Sequence, residues 1–336
     1  MVRLKDIAAR AKVSVMTVSK ALRDAKDISA QTRARLQALA AEMGYVPNTA
    51  ASGLRTHSTR LFGLIISAMT NPLFARVIMA IEENAHEMGY DLILAHSLNN
   101  PNREETCIRR MLARRVEGLF IFPAYRQQEQ SQLYDELLSR GVPTVILGPK
   151  AAFCARFHNV ETNDLAASQA LTRHLLELGH RRIAFFTGPA VSPWALERFE
   201  GYRRGLRDAN LDVDEALVFQ AGATIEEGEK AALQLLQENP KATAVQAGND
   251  LVAIGAAETF IKQGLRIPHD ISVVGFGNVL VSEHFRVPLT TARQPKHRLG
   301  VAAMEVMKKV MQGGTPPPQR LAAELVIRES SGPPKA

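Results

Sequence analysis

The fold of the N-terminal part of this 336-residue chain is decided by LKDIAARAKVSVMTVSKAL, residues Leu4 to Leu22. Its first apolar residues have the i, i+3, i+4, i+7 spacing of one helical face: Leu4, Ile7, Ala8 and Ala11. Lys12 and Val13 break that spacing, and Ser14 then offers a side-chain oxygen that can cap a second helix, Val15 to Leu22. The pattern predicts two short helices joined by a tight turn, the arrangement of a helix-turn-helix unit.

The second helix has a polar outer face. Val18 and Leu22 lie four residues apart and are predicted to point inward. The outer face then carries hydroxyls, one cation and one flexible apolar group: Met16, Thr17, Ser19 and Lys20. Such a face suits the phosphates and base edges of DNA. The alternative is an ordinary N-terminal helical hairpin with a solvated surface.

Positive charge is concentrated in the same part of the chain. Residues 1 to 60 contain eleven Lys and Arg and four Asp and Glu, so their net charge of +7 equals that of the whole chain. Residues 61 to 336 are formally neutral. Charge segregated in this way is the electrostatic footprint of a nucleic-acid-binding module, and it weighs against the plain hairpin.

A third helix and a linker complete the N-terminal part. The helix is predicted from about Ala30 to Met43, with Ser29 as its cap and Gly44 as its stop. We therefore interpret residues 1–46 as a helix-turn-helix DNA-binding domain. Residues 47–59 are mostly small and polar, with Leu54 as their one large apolar side chain, and are interpreted as a hinge.

The remaining chain, from residue 60 to about 330, alternates short apolar runs with helical stretches. The predicted buried strands are Leu61–Ser67, Asp91–Ala95, Gly118–Phe122, Pro143–Leu147, Arg182–Thr187, Leu217–Gln220, Ala244–Ala247 and Ile271–Phe276. The predicted helices begin near Phe74, Arg103, Gln127, Asp164, Ala195, Glu226 and Asp250. This alternation is typical of parallel sheets covered on both faces, and the length favours two lobes over one. The predicted fold class is an all-α N-terminal domain followed by an α/β body of two doubly wound parallel-sheet lobes.

Ligands of such sheets bind at the carboxyl ends of the strands, so a cleft between the lobes is the predicted ligand site. Several side chains that follow strand ends are candidates: Asn71, Phe74, Arg198, Asn249, Asp250 and Asn278. A guanidinium, an amide and a carboxylate can bind sugar hydroxyls, while an aromatic ring stacks on the sugar's apolar face. The alternatives are that Asn249 and Asp250 only cap the next helix, and that Phe74 only fills the core.

Several motifs in one order resemble the lactose-repressor and galactose-repressor family of bacterial transcription regulators. They are LKDIAARAKVSVMTVSKAL, ISAQTRARLQALAAEMGYVPN, LLELGHRRIAFFTG, RFEGYRRGL, AGNDLVAIGA, GLRIPHDISVVGF and PLTTARQP. The resemblance implies a body like that of periplasmic binding proteins and a ligand-responsive repressor. Such a repressor binds a palindromic operator in double-stranded DNA as a homodimer, under control of a small sugar or sugar derivative. The expected lobes are about 60–158 with 292–320 and about 159–291 with 321–330, followed by a flexible tail at 331–336.

The resemblance also implies roles for residues of the DNA-binding part. The positions facing base edges are Val15, Met16 and Lys20, and those facing phosphates are Ser14, Thr17 and Ser19. Leu54 matches the hinge leucine that wedges into the minor groove and kinks DNA. The family's hinge commonly reads Ala-Arg-Ser-Leu, but this chain has Gly53 before Leu54. Because glycine costs roughly 1 kcal/mol in a helix relative to alanine, Gly53→Ala is expected to strengthen operator binding.

Three departures concern the effector site. Gly277 stands where the family often has a sugar-binding aspartate, a frequent Asp-Asn pair is reversed as Asn163-Asp164, and Ala223 matches a position that is aromatic in several relatives. Loss of a carboxylate makes an anionic effector, a sugar acid or sugar phosphate paired with Arg198, a candidate beside a neutral sugar.

Other function classes find little support in the sequence. It contains no G-x-S-x-G motif, Walker glycine loop or H-E-x-x-H motif, so an α/β enzyme is disfavoured and no cofactor or metal is expected. Cys107 and Cys154 lack metal-type spacing and are interpreted as reduced core thiols. A secreted, stand-alone sugar-binding protein is the other alternative. The N-terminus has no apolar signal region and no run of 18 apolar residues occurs, so a cytoplasmic location without membrane contact is expected.

Overall fold

The computed structural model describes residues 2–46, 58–238 and 240–335. The chain divides into two compact units between Thr59 and Arg60. Among the described residues, no helix is long and apolar enough to cross a membrane. The predicted hinge residue Leu54 and its neighbour Gly53 lie outside the described residues.

The first unit contains three helices around a small core. They are α1 (Leu4–Ala11), α2 (Val15–Ala21) and α3 (Ala30–Glu42). The buried core consists of Ile7, Ala8, Val18, Ala21, Leu36 and Ala40. The predicted cap of α3 is confirmed, because Ser29 Oγ accepts a hydrogen bond from the Thr32 amide at 3.2 Å. Gly44 follows α3 with φ of +67°, a backbone conformation that favours glycine and ends the helix.

The second unit contains two six-stranded sheets. Its strands are β1 (Leu61–Ile66), β2 (Asp91–His96), β3 (Gly118–Ile121), β4 (Thr144–Leu147), β5 (His158–Thr162), β6 (Ile183–Thr187), β7 (Val218–Gln220), β8 (Ala244–Ala247), β9 (Ser272–Gly277), β10 (Thr290–Arg293), β11 (Gln319–Leu321) and β12 (Glu324–Val326). Its helices are α4 (Leu73–Glu87), α5 (Pro101–Ala113), α6 (Gln132–Ser139), α7 (Asp164–Glu177), α8 (Pro193–Asp208), α9 (Ile225–Glu238), α10 (Asp250–Lys262), α11 (Leu280–His284) and α12 (Lys296–Met311).

Each sheet forms one lobe. The first has the order β11-β5-β4-β3-β1-β2, and all its strand pairs are parallel. The second has the order β12-β10-β9-β8-β6-β7, in which only the β10–β12 pair is antiparallel. The predicted fold class is confirmed.

The chain crosses between the lobes three times. The crossings follow β5, β10 and β11, so they lie a few residues later than the expected boundaries at 158, 291 and 320. They are bonded to one another: the Asn163 amide donates to Leu321 O at 2.8 Å, and Gln294 Nε2 donates to Thr162 Oγ1 at 3.3 Å.

One helix pair in the second lobe, α9 and α10, packs at very short range through glycine. A Cβ atom on Gly255 of α10 would lie 2.0 Å from the carbonyl oxygen of Ile225, and one on Gly228 of α9 would lie 2.3 Å from that of Val252. The absence of a side chain at both positions lets α9 and α10 approach backbone to backbone.

Some local predictions were wrong. The helix predicted near Gln127 begins at Gln132. Strands β5, β10, β11 and β12 and helix α12 were not predicted.

The prediction of a flexible tail is also wrong for residues 331–335. Ser331 Oγ bonds His174 Nε2 at 2.9 Å, and the Gly332 carbonyl bonds His180 Nε2 at 2.8 Å. The Gly332 amide donates to Ser272 Oγ at 3.0 Å. Buried polar groups of the second lobe thus find their partners on the tail, which docks as a result.

Candidate functional site

Helix α2 presents the residues predicted to face DNA. Ser14 caps the helix, because its Oγ accepts from the Thr17 amide at 3.0 Å and lies 2.8 Å from Thr17 Oγ1. Val15 and Met16, in the first turn, are 46% and 63% exposed although both are apolar. Exposed apolar side chains at a helix N-terminus are suited to contact thymine methyl groups in the major groove.

The last turn of α2 holds the polar part of this face. Lys20 Nζ forms an ion pair with Asp27 Oδ2 from the turn before α3. Arg23 Nε donates to the Ser19 carbonyl at 2.9 Å, and its Nη2 donates to Ser19 Oγ at 3.3 Å. Each predicted DNA-facing residue within the described range therefore lies on, or caps, this one short helix.

A cavity of about 370 Å³ lies between the lobes of the second unit. Five of the six predicted effector residues line it: Asn71, Phe74, Arg198, Asn249 and Asp250. Aromatic rings come from both lobes, including Tyr125 and Phe122 of the first and Trp194 and Phe276 of the second. A mostly apolar cleft with a few polar groups is the usual form of a small-molecule site.

Arg198 is buried in the cavity wall and its charge is balanced within the protein. Its Nε and Nη2 lie 2.8 and 2.6 Å from Asp164 Oδ2, and its Nη1 donates to the Gly248 carbonyl at 2.6 Å. The guanidinium carbon lies 4.6 Å from the Trp194 ring centre and 3.8 Å from that of Phe276. The guanidinium is therefore sandwiched between two rings and paired with a carboxylate, which leaves little net charge to attract an anion.

Asp164 and Gln294 retain buried acceptor atoms without a hydrogen-bond partner in the described structure: Asp164 Oδ1 and Gln294 Oε1. Burial raises the pKa of Asp164, against the opposing effects of Arg198 and of the neighbouring Gln294 amide. Both side chains line the cavity at crossings between the lobes. Because a buried unpaired acceptor is costly, a ligand that donates hydrogen bonds would be stabilised here.

Asp250 is fully occupied by bonds within the protein. Its Oδ2 accepts from the Val279 amide at 2.8 Å and from Ser282 Oγ at 2.7 Å, while its Oδ1 accepts from Thr291 Oγ1 at 2.5 Å. Burial raises its pKa, and the three hydrogen bonds oppose that rise. This carboxylate joins α10 to β10 and α11, so its contacts are structural.

Three other predicted residues cap a helix or belong to the core, as the alternatives proposed, and they also line the cavity. Asn249 Oδ1 caps α10 by accepting from the Val252 amide at 3.0 Å. Asn71 Oδ1 accepts from the Leu73 amide at 3.0 Å at the start of α4. Phe74 belongs to the first lobe's core and meets Phe122 edge-on at 4.6 Å. Each residue shapes its own element and lines the cavity.

Asn278 is not among the residues that line the cavity. Its Oδ1 accepts from Arg328 Nη2 at 2.8 Å, and its carbonyl accepts from Lys296 Nζ at the same distance. The same ammonium also bonds the Gly277 carbonyl at 2.6 Å, and burial lowers the pKa of Lys296 to about 8. Asn278 therefore braces the loop after β9, and its side chain is already engaged.

Acidic residues dominate the charge of the cavity lining. Its charged members are Glu161, Asp164, Asp250 and Arg198. Glu161 lies 3.9 Å from Arg320, its neighbour in register on β11, and Arg320 Nη2 bonds Glu197 of the other lobe at 2.7 Å. Burial, followed by the nearby Glu197, raises the pKa of Glu161. Three carboxylates and one guanidinium give the lining a formal negative charge.

A buried cluster behind the cavity positions part of its wall. Glu104 of α5 accepts hydrogen bonds from the Ala124 amide, from Arg126 and, at 3.2 Å, from the Tyr134 hydroxyl. These bonds hold the segment around Tyr125, whose own hydroxyl donates to the Pro149 carbonyl at 2.7 Å. Burial raises the pKa of Glu104 to about 7.

Sequence reasoning did not predict several residues of the cavity: Trp194, Tyr125, Phe122, Glu161 and Gln294. The one available signal was position, because Trp194 lies just past the end of β6 and Gln294 just past that of β10. The strand-end rule would have found Trp194, whereas β10 and β5 were not predicted and so gave no strand end to inspect.

These features define a two-part class of protein: a three-helix DNA-binding unit and a two-lobed α/β unit with a small-molecule cleft. Residues 3–48 match the family described as bacterial regulatory proteins, lacI family, and residues 172–331 match the periplasmic binding protein-like domain. The chain belongs to the lacI family of bacterial regulatory proteins. It is a ligand-responsive DNA-binding regulator, not an enzyme.

Curated relatives and solved structures extend over most of the chain. The HTH-type transcriptional repressor PurR of Proteus mirabilis is 33% identical over 91% of this chain and 89% of its own length. The repressor CytR of Escherichia coli is 30% identical over 98% of this chain and 96% of its own. A crystal structure of the lac repressor dimer bound to operator and an anti-inducer is 27% identical, with a TM-score of 0.87 and coverage of 98% and 99%. A regulator CelR–cellobiose complex is 29% identical, with a TM-score of 0.74 and coverage of 98% and 100%.

Proposed function

We propose that this regulator is a repressor that binds a palindromic operator as a homodimer, and that a neutral sugar or sugar derivative in the interlobe cavity controls it. In this proposal Val15, Met16 and Lys20 meet base edges, while Ser14, Thr17 and Ser19 meet phosphates. Leu54 is proposed to enter the minor groove at the centre of the operator. A single three-helix unit covers only half a site, which is why a two-fold dimer is proposed.

The class of ligand that we propose rests on the ion pair between Arg198 and Asp164, which balances the charge of the guanidinium. An anion would have to compete with Asp164 for the guanidinium, in a lining whose other charged groups are carboxylates. A neutral molecule rich in hydroxyl groups instead supplies donors for Asp164 Oδ1 and Gln294 Oε1, and its apolar face can stack on the rings. This favours a neutral sugar over the sugar acid or sugar phosphate that the missing aspartate at Gly277 suggested.

Exposed apolar side chains on both lobes support the proposed dimer. They are Met69, Met79 and Leu98 of the first lobe and Leu280 and Val281 of the second. Leu280 is 73% exposed. Exposed apolar side chains that form a contiguous patch mark an oligomer interface, so these residues are the first places to look for the proposed dimer contact.

The proposed control is a difference in operator affinity between two states of the dimer. A ligand that favours one arrangement of the lobes shifts the population towards that state, and by linkage operator DNA shifts ligand affinity equally. The test below decides whether the ligand lowers operator affinity, as an inducer, or raises it, as a co-repressor, because either kind of ligand would bind in the same cavity.

The test combines DNA selection with ligand titration. The full-length chain is used to enrich sites from random double-stranded DNA, and the enriched site is then titrated in gel shifts with and without neutral sugars and sugar acids. We expect a palindromic motif and a change in operator affinity with a neutral sugar. Trp194→Ala, in the cavity, should lose the sugar response and retain DNA binding, while Lys20→Ala should lose operator binding and still bind the sugar. Failure to enrich a motif contradicts the DNA proposal, and a response to sugar acids alone contradicts the neutral-ligand proposal.

A further inference from the structure

We infer that Asp27 is a specificity-determining residue of the DNA interface, which acts with Lys20 as one unit that reads a G·C base pair. The inference rests on the proposed function, in which α2 faces base edges. The residues predicted from the sequence did not include Asp27, and its effect on recognition goes beyond placing Lys20 at the interface.

The two side chains meet although they lie on different elements. Lys20 is in the last turn of α2, and Asp27 is in the turn that leads to α3. Lys20 Nζ contacts Asp27 Oδ2, with 38% of the lysine side chain and 56% of the aspartate side chain exposed. The pair is therefore formed before any DNA is present, and both groups remain accessible to it. The ammonium lowers the pKa of Asp27, so the carboxylate is charged at neutral pH.

Hydrogen bonds to the backbone on both sides of Asp27 fix the turn that carries it. Arg33 of α3 donates from Nη2 to the carbonyls of Ala25 and Ile28, at 3.0 and 3.2 Å. The Ala25 amide donates to the Lys20 carbonyl at 3.1 Å. These bonds hold the turn on both sides of Asp27 against α2 and α3. The carboxylate is thus presented by a braced turn next to the lysine.

A braced carboxylate changes what the lysine can recognise. A lone lysine is a flexible point charge that meets phosphates and bases with little discrimination. A fixed ammonium beside a fixed carboxylate presents a donor to guanine O6 and N7 and an acceptor to cytosine N4, the two features that G·C displays in the major groove. The same carboxylate repels phosphates, so it weakens non-specific binding.

The experiment compares two variants that remove the same charge from the same turn. Asp27→Asn abolishes the ion pair with Lys20. Asp24→Asn is the matched control, because Asp24 is also exposed and does not contact Lys20. Asp24 accepts from Gln37 Nε2 at 2.9 Å and lies 3.8 Å from Arg33 Nε, whereas the bonds of Arg33 to the Ala25 and Ile28 carbonyls come from Nη2. The φ of Asp24 is +52°, a left-handed conformation that asparagine tolerates as well as aspartate. Full-length wild type and both variants are taken through the same random-DNA selection, and affinities are measured for the selected site and for its single-base changes.

We expect both variants to bind unrelated DNA a few-fold more tightly, since each removes one negative charge. Only Asp27→Asn should lose preference at one G·C position per half-site, by at least about fivefold in the affinity ratio. In a Lys20→Met background the Asp27→Asn change should have a smaller effect at that position than in wild type, because a double-mutant cycle of a coupled pair is non-additive.

Two outcomes overturn the inference in distinguishable ways. If Asp27→Asn and Asp24→Asn show the same base preferences as wild type, Asp27 contributes only charge and the inference is wrong while the regulator proposal stands. If wild type enriches no motif, the proposed function fails and the inference fails with it. Thermal unfolding followed by circular dichroism checks that both exposed substitutions leave the fold intact.

Discussion

Arg198 and Asp164 illustrate how burial changes the role of a residue. In the sequence Arg198 is a free cation that follows a strand end, which made it a candidate partner for an anion. In the fold, its guanidinium bonds Asp164 from the adjoining helix and the Gly248 carbonyl, and lies between two rings. The pairing could not be predicted, because it depends on how α7 and α8 pack and not on local sequence spacing.

Glu104 allows a prediction about pH. Because burial raises its pKa to about 7, the native state holds a proton at pH values where the unfolded chain, with an ordinary pKa of 4.5, has released it. Stability from this group is therefore complete below pH 4.5 and is lost as the pH rises to about 7. Relative to Glu104→Gln, the wild-type free energy of unfolding should fall by roughly 2 kcal/mol between pH 5 and pH 8.

Urea denaturation of both proteins at several pH values measures this difference. Glu136→Gln serves as the control, since Glu136 forms surface ion pairs with Arg109 and Arg140. A wild-type advantage over Glu104→Gln that stays constant, or that grows with pH, would contradict the assigned direction of the pKa shift.

Among the elements, those with a strong sequence pattern were predictable and those defined by their neighbours were not. Strands such as β1 and β9 are continuous apolar runs, and the predictions for them are confirmed. Strands β11 and β12 have only three residues each and lie at sheet edges, so they bury too little to show a pattern. Asp164 and Gln294 enter the cavity from the crossings after β5 and β10, two further strands that were not predicted. The sequence therefore predicted the cleft and much of its lining, but not the polar side chains at the crossings between the lobes.

The contact between α9 and α10 supports a prediction at this scale. Gly255→Ala would place a methyl group against the Ile225 carbonyl, which belongs to the backbone and cannot rotate away. Alanine favours a helix by roughly 1 kcal/mol over glycine, but we expect the forced separation of the helices to outweigh that gain. The expected net loss in the free energy of unfolding is about 1–3 kcal/mol.

Chemical denaturation of Gly255→Ala is best compared with Gln237→Ala, an exposed substitution on α9. The control should stay within roughly 0.5 kcal/mol of wild type. Equal stability of the two variants would mean that the helix pair separates freely, contrary to the close packing described.

At the scale of the second unit, the described residues connect the lobes by three crossings, by the bonds from Lys296 to the Gly277 and Asn278 carbonyls, and by a surface ion pair. Arg320 on β11 bonds Glu197 on α8 beside the cavity, and also approaches Glu161. Arg320→Gln should favour separation of the lobes. Because an exposed ion pair is worth about 1 kcal/mol at most, the population of separated lobes should rise by no more than about fivefold.

Hydrogen exchange at the Asn163 amide reports on the crossings, since this amide bonds Leu321 O at the end of the β5–β11 ladder, where both strands lead into crossings. Its exchange rate should increase in Arg320→Gln by up to the same factor. Arg182→Gln is the matched control, because Arg182 pairs with Asp214 within the second lobe alone. Identical exchange in the two variants would count against a role for Arg320 in holding the lobes.

The sandwich around Arg198 gives the protein an optical signal of its own. The chain has a single tryptophan, Trp194, and its indole lies in the cavity wall against the guanidinium. Tryptophan emission from the whole molecule therefore originates at the site where a ligand would enter, and it depends on the polarity around that one ring. Compounds can be screened on the unlabelled, native chain before any operator is known, because the fluorophore lies in the proposed binding site.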